Sequence, residues 1–123
     1  MKVLLVDDEI ELVSTLAERL SFRGIDAQWA STSAEALAKV ENQCFDVTVL
    51  DLKMPKIGGL ALKDKLIKKY PEMKFIFCTG YGSEEDFAVI SNQVGEEFYL
   101  VKPLDIEILI EKMKLALNVD VKE

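Results

Sequence analysis

The sequence predicts a doubly wound α/β domain, five parallel strands alternating with five helices, and three observations predict it. Five short runs, Val3–Val6, Asp26–Ala30, the stretch up to Asp51, Lys74–Cys78 and Phe98–Val101, have strand length and stop on turn or charged residues. After each run the apolar residues recur at three and four positions, the period of a helix with one buried face. The joints are short and marked by glycine, proline and capping residues, and no linker or internal repeat interrupts them. Strict alternation of this kind implies a parallel sheet covered on both faces, with right-handed crossovers.

Each element has its own signal. Val3–Val6 stops on Asp7, Asp8 and Glu9; Ile10, Val13, Leu16, Ala17 and Leu20 then line a first helix, with the acids in its first turn where they suit the helix dipole. Gly24 closes that helix. Asp26–Ala30 is the weaker second strand, because only Ala27 and Trp29 alternate as apolar residues. Thr32 and Glu35 have capping-box spacing before Ala36, Leu37 and Val40, so a second helix starts there and ends near Asn42. Within residues 45–55, FDVTVLDLKMP, the stretch up to Asp51 is the third strand, apolar enough through Val47, Val49 and Leu50 for burial on both faces and ending on the carboxylate of Asp51. Met54, Pro55, Ile57, Gly58 and Gly59 make a loop, and Leu60, Leu62, Leu66 and Ile67, with Lys63, Lys65, Lys68 and Lys69, make a basic-faced third helix stopped by Pro71. Lys74–Cys78 is the fourth strand. Thr79, Gly80, Tyr81, Gly82 and Ser83 form a flexible loop, Ser83 caps a helix carrying Phe87, Val89 and Ile90, and Gly95 ends it. Phe98–Val101 is the fifth strand, followed by Lys102 and Pro103, and Asp105 caps a last helix with Ile106, Leu109, Ile110, Met113 and Leu117 on its buried face.

Composition sets outer limits. With 123 residues, half of them hydrophobic and 30% charged, the chain reads as one globular domain, 1–123, whose polar end at 118–123 suits a frayed tail or the start of a linker. The net charge of −7, from 22 acids and 15 bases, argues against a nucleic-acid or anionic-membrane surface and for a protein partner or a cation. No run approaches a membrane span, and Met1-Lys2 leads straight into a strand without a cleavage site, so a cytoplasmic location is expected. Cys44 and Cys78 lack metal-type spacing and read as core thiols in a reducing compartment. There is no histidine, which excludes Ser-His-Asp and Cys-His nucleophiles.

The chemistry is legible where strand ends are compared. Asp7 and Asp8 end the first strand, Asp51 the third, Thr79 the fourth and Lys102 the fifth, all on the edge of the sheet where α/β domains keep their sites. A capping role accounts for a single acid such as Asp51 or one of the first pair, but not for the set. Three clustered carboxylates repel one another and call for a hard, oxygen-seeking divalent ion; without histidine or thiolate ligands, magnesium fits, with manganese possible. A cation beside an ammonium and a hydroxyl makes a pocket for a phosphoryl group.

With VDDE, LDLKMP, CTGYG and YLVKP in this order, the chain resembles the response-regulator receiver domain, the CheY-like phosphoacceptor of two-component signalling, over essentially its full length. The resemblance implies a flavodoxin-like sheet of strand order 2-1-3-4-5. It implies that Asp51 accepts phosphate from a sensor histidine kinase or phosphotransfer protein, that Asp7, Asp8, Asp51 and the backbone carbonyl of Lys53 hold magnesium, and that Thr79 and Lys102 bind phosphoryl oxygens. Thr79 and Tyr99 would be the switch pair, and the surface of helix four, strand five and helix five, with Glu84, Glu85, Asp86 and Glu107, would change its presentation to an output domain or protein target. Such a domain is a signalling switch with self-limiting autophosphatase activity and not an enzyme in the usual sense. Lys53 and Tyr81 stand where receivers tune water access to the phosphoryl group, and Tyr81 is expected to shield it. Two departures stand out: Gly58 leaves helix three without a side-chain cap, and Glu96 replaces a small residue before strand five. The alternatives are a magnesium-dependent aspartyl-phosphate phosphatase, which usually has an acid where Lys53 stands, and a flavodoxin-like nucleotide-binding module, whose phosphate Asp7, Asp8 and Glu9 would repel.

Overall fold

The structure, a computed structural model, describes residues 1–80 and 84–118. Their elements run β1 (Lys2–Val6), α1 (Ile10–Phe22), β2 (Asp26–Ala30), α2 (Ser33–Asn42), β3 (Val47–Asp51), α3 (Gly59–Lys69), β4 (Lys74–Thr79), α4 (Glu84–Val94), a 3-10 turn (Glu96–Phe98), β5 (Tyr99–Val101) and α5 (Ile106–Asn118). All strand pairs are parallel and the sheet order is β2-β1-β3-β4-β5, the order the family resemblance implied. Direction along the sheet reverses between β1 and β3, which opens a crevice at the carboxyl ends of those two strands.

Burial on both faces explains the continuous apolar strands. Val3 and Leu5 of β1 join Val47 and Val49 of β3 in one core with Val13, Ala17 and Leu20 of α1 and Leu109 and Met113 of α5. Leu4, Val6 and Leu50 point the other way, into a core with Ala36 and Val40 of α2, Leu62 and Leu66 of α3 and Ile90 of α4. Every residue of β3 is buried, Thr48 included, whose hydroxyl donates to the Met73 sulfur at 3.0 Å.

The punctuation works as the residue types suggest. Gly24 stands at φ +80, and the N–H groups of Gly24 and Ile25 bond the carbonyls of Ser21 and Leu20, both at about 3 Å: the six-to-one and five-to-two pattern that closes a helix on a left-handed residue. The Thr32 hydroxyl accepts from the Glu35 N–H at 3.0 Å, and the Glu35 carboxylate returns to the N–H of Ser31 at 2.8 Å, one residue earlier than in the usual reciprocal box. Asp105 accepts from the N–H groups of Glu107 and Ile108 at 2.8 and 3.2 Å. Gly58 caps α3 without a side-chain bond.

Several expectations are corrected. Strand five starts at Tyr99, because the Phe98 N–H bonds the Gly95 carbonyl at 3.1 Å and places Phe98, still buried, in the 3-10 turn. Ile10 and Phe87 keep the helical period but stay exposed, as does Val89, which lies off that period; α1 buries Val13, Ala17 and Leu20, and in α4 Ile90 enters the core. Cys44 is not a core thiol: it lies exposed just before β3, whereas Cys78 is buried, and both are free. Asn118 is the last residue of α5, while the rest of the 118–123 tail, Tyr81, Gly82 and the Ser83 cap lie outside the described residues.

One close approach ties α3 to the site. A Cβ at Gly59 would lie 2.5 Å from the carbonyl oxygen of Asp51 and 3.2 Å from the Leu52 Cα, so the helix rests directly on the backbone that presents Asp51. Alanine is intrinsically better in a helix by about 1 kcal/mol, but overpacking against backbone costs about 1–3 kcal/mol. Gly59→Ala is therefore expected to lose stability in urea unfolding; an unchanged or raised midpoint would contradict the close approach.

Candidate functional site

Asp7 follows β1, its N–H bonding the Ala30 carbonyl of β2 at 3.1 Å and its side chain buried. Its Oδ1 accepts from the Glu9 N–H at 2.9 Å, so this acid does form the local turn that leads into α1. Its other oxygen remains for the crevice. Asp8 is exposed at the rim. Asp51 ends β3, buried, with one oxygen 3.4 Å from the Lys53 N–H. Oxygens of Asp7, Asp8 and Asp51 all lie within 4.8 Å of one another, a group that could hold a metal ion.

Lys102 arrives from the far side of the sheet. Its N–H bonds the Thr79 carbonyl at 2.9 Å, continuing the β4–β5 ladder past the end of β5, and the peptide to Pro103 is cis. The ammonium lies 2.7 Å from Asp7 Oδ2, 2.7 Å from Glu9 Oε1 and 3.6 Å from Asp51 Oδ2, with its side chain only 12% exposed. It is not a solvated loop lysine. Burial works against its charge, but the bonds to Asp7 and Glu9 and the charges of Asp7 and Asp51 prevail and hold its pKa above the ordinary lysine value. Asp51 is pushed the other way. Burial and then the neighbouring Asp7 raise its pKa above the ordinary aspartate value, against the opposing pull of Lys102 and the Lys53 N–H. Cys78, paired in register with Asp51, has its thiol pushed up to about 12, chiefly by burial, and is no nucleophile at neutral pH.

Thr79 ends β4, buried beside this cluster. Tyr99 is half-buried and further off: β5 pairs Val101 with Thr79 and Tyr99 with Phe77, so the tyrosine sits two residues back from the strand ends. Its ring meets Phe87 of α4 edge-on at 5.3 Å, and burial followed by the charge of Asp86 raises its phenol pKa. Of the helix-four acids, Glu85 is exposed and Asp86 pairs with the Lys53 ammonium at 3.2 Å, while Glu107 of α5 is bound to Arg23 at 2.6 Å; the Glu84 side chain lies outside the described residues. Two of these contacts escape sequence reasoning. Glu9 counts there only as an acid in a first helical turn, and nothing in the sequence pairs Lys53 with Asp86.

A family model described as the response regulator receiver domain matches residues 3–114. The chain belongs to this family. It is 35% identical over 118 residues, 95% of its length, to a transcriptional regulatory protein CpxR homolog of Haemophilus influenzae, and 34% identical over 119 residues to the positive alginate biosynthesis regulatory protein of Pseudomonas aeruginosa. It spans about half the length of these two relatives, 50% and 47%. Among solved structures, a CheY-like receiver domain protein from Methanospirillum hungatei superposes with a TM-score of 0.87 at 36% identity, over 98% of this chain and 96% of that one. A response regulator from Burkholderia pseudomallei, solved with a phosphorylated aspartic acid, a calcium ion and citrate, superposes at 0.82 with 28% identity, over 98% of this chain and 71% of that one. This receiver domain is thus related to the transcriptional regulators of two-component systems, and these matches favour neither the phosphatase nor the flavodoxin-like alternative. No helix among the described residues is long and apolar enough to cross a membrane.

The raised Asp51 pKa fixes the sign of a stability effect. The folded chain holds this proton more tightly than the unfolded chain, so the ionised carboxylate lowers stability as pH rises from the ordinary aspartate value of 3.8 through the higher folded one. In chelator at neutral pH, Asp51→Asn is expected to raise the melting temperature, and the gain should vanish below that ordinary value. A clear loss of stability at neutral pH would make the ionised Asp51 a structural partner of Lys102 instead.

Proposed function

We propose that Asp51 accepts a phosphoryl group from a phosphohistidine on a sensor histidine kinase or phosphotransfer protein, and that the phosphorylated domain changes its affinity for an output domain or protein target. The observation that carries this is the grouping of the Asp7, Asp8 and Asp51 oxygens within 4.8 Å around a crevice that also receives the Lys102 ammonium. The donor set is all oxygen, which suits magnesium, or manganese, over a softer ion. Asp7, Asp8, Asp51 and the carbonyl of Lys53 would hold it, and when bound it neutralises the oxygens of the incoming phosphoryl group.

In the transfer, an Asp51 carboxylate oxygen forms a bond to phosphorus while the bond from phosphorus to the donor imidazole nitrogen breaks, its electron pair staying on that nitrogen. The product is a mixed anhydride. Lys102 exchanges part of its contact with Asp7 and Glu9 for a phosphoryl oxygen, a short movement given its 3.6 Å distance from Asp51, and the Thr79 hydroxyl donates to another. Movement of Thr79 toward that oxygen favours a more buried Tyr99 rotamer, which repacks Phe87 and the surface of α4, β5 and α5. Residues 1–123 form the receiver, cytoplasmic and without nucleic-acid contacts of its own, and the output lies in another domain or protein. The phosphorylated aspartate in the Burkholderia pseudomallei response regulator supports the reading, as does the absence of any histidine that could carry the phosphate instead.

Magnesium that binds the folded cluster and not the unfolded chain should stabilise it by roughly 2.7 kcal/mol at about 100 times the dissociation constant. Thermal melts would register this as an upward shift, abolished in Asp8→Ala; an equal shift in that variant would remove Asp8 from the site. Incubation with a small acyl-phosphate donor and magnesium should add one phosphoryl group, mapped to Asp51 by intact mass and peptide analysis and labile to alkali. A label on serine or threonine, or one that persists in Asp51→Asn, would overturn the assignment.

A further inference from the structure

Lys53 stands two residues past Asp51, and its side chain turns away from the carboxylate cluster. The ammonium reaches the first turn of α4, 3.2 Å from Asp86 Oδ2, with the lysine side chain 58% exposed and the aspartate 23%. The residue after Asp86 is Phe87, edge-on to Tyr99, so the acceptor loop, the first turn of α4 and the ring on β5 form one continuous chain of contacts. The rear of α4 is held separately: Ile90 is fully buried, and Gln93 accepts from the Lys63 ammonium of α3 at 2.9 Å. The helix is thus fastened at its back, while its front is joined to the acceptor loop by an ion pair with one exposed partner, a kind that is weak and readily exchanged.

Resting on Asp51 as the phosphoacceptor, we propose that Asp86 is a positioning residue for Lys53: it holds the lysine ammonium on α4 while Asp51 is free and yields it to the phosphoryl group when Asp51 is phosphorylated, releasing the first turn of α4. The direction follows from charge. A phosphoryl group carries about −1.5 to −2 and three strong acceptor oxygens, against the single charge of Asp86, and it appears on the residue whose carboxylate already faces the Lys53 N–H at 3.4 Å.

The exchange also bears on how long the phosphoryl group lasts. Its loss requires a water oxygen to bond phosphorus as the bond from phosphorus to the Asp51 oxygen breaks, returning a carboxylate and inorganic phosphate. In a loose transition state negative charge leaves the phosphoryl oxygens for the departing carboxylate, so an ammonium resting on those oxygens favours the ground state and slows hydrolysis. Lys53 lengthens the lifetime, and Asp86 shortens it by competing for the ammonium.

The test is the decay of the phosphorylated chain, followed by intact mass after donor removal, in the wild type, Asp86→Asn, Lys53→Met and the double variant. Asp86→Asn should decay roughly two- to fivefold more slowly, the range set by a surface ion pair, Lys53→Met faster, and the double variant like Lys53→Met. Amide spectra supply a second readout. In unphosphorylated Asp86→Asn the amides of residues 85–90 should move toward the positions they take in the wild type with beryllofluoride, and those of 91–94 should stay. An Asp86→Asn effect of equal size with and without Lys53, or unchanged decay and unchanged amides, would overturn the exchange. A wild type that takes phosphate on Asp51 and shows no coupling overturns the exchange alone; one that takes none overturns the acceptor reading and the exchange with it.

Discussion

How the charge of four carboxylates is compensated decides what the carboxyl edge of this sheet can do. Asp7, Asp8, Glu9 and Asp51 converge where β1 and β3 end, and among the described residues the ammonium that enters their midst is Lys102. Burial first, and then the charge of Asp7, raise the Asp51 pKa, and the single ammonium of Lys102 does not cancel them. Lys102 sits closest to Asp7 and Glu9, so Asp51 is the least compensated of its three partners. A carboxylate left short of positive charge favours the arrival of a cation, and the same imbalance keeps Lys102 within reach of whatever Asp51 comes to carry.

The scaffold produces that imbalance without strain at the acids themselves. Strands buried on both faces leave their ends as the place where charge can stand, and the reversal of direction between β1 and β3 brings two such ends together. Asp51 is then held from behind. Gly59 lets α3 rest on its carbonyl, and the fully buried β3 fixes the level at which its side chain emerges. The family shares this frame with proteins of many outputs, so the frame places the chemistry while its result depends on side chains beyond the four strand ends.

Much of this was legible in the sequence because period and punctuation act locally. Residue types alone locate the strand ends at Asp7, Asp51, Thr79 and Lys102, the Gly24 and Asp105 caps and the sheet that carries them. What escaped depends on contacts between distant residues. Phe98 looks like strand but is drawn into a turn by the Gly95 carbonyl, and Cys44 looks apolar in context yet is exposed, while its neighbour Phe45 enters the core. Ile10 and Phe87 keep the helical period yet stay exposed, and period alone does not say how far a residue is covered. The Glu9 partner of Lys102 is 93 positions away in the chain, and no local pattern could have chosen it over Asp8.

The two lysines near Asp51 differ in kind, and the difference separates binding from signalling. Lys102 is covered and bonded to two carboxylates, one of them the buried Asp7, so taking it out of the crevice would strand buried charge, a cost that confines it to short movements within the site. Lys53 is exposed, and its ion pair with Asp86 is worth little in water, so it can change partners without uncovering an unpaired charge in the core. In the proposed switch both would take part: a cation that stays beside Asp51, and one whose weak bond elsewhere would yield to the new phosphate. Because that weak bond ends on the helix turn that also carries Phe87 against Tyr99, the cheaper of the two movements is the one positioned to be felt at the surface of α4 and β5.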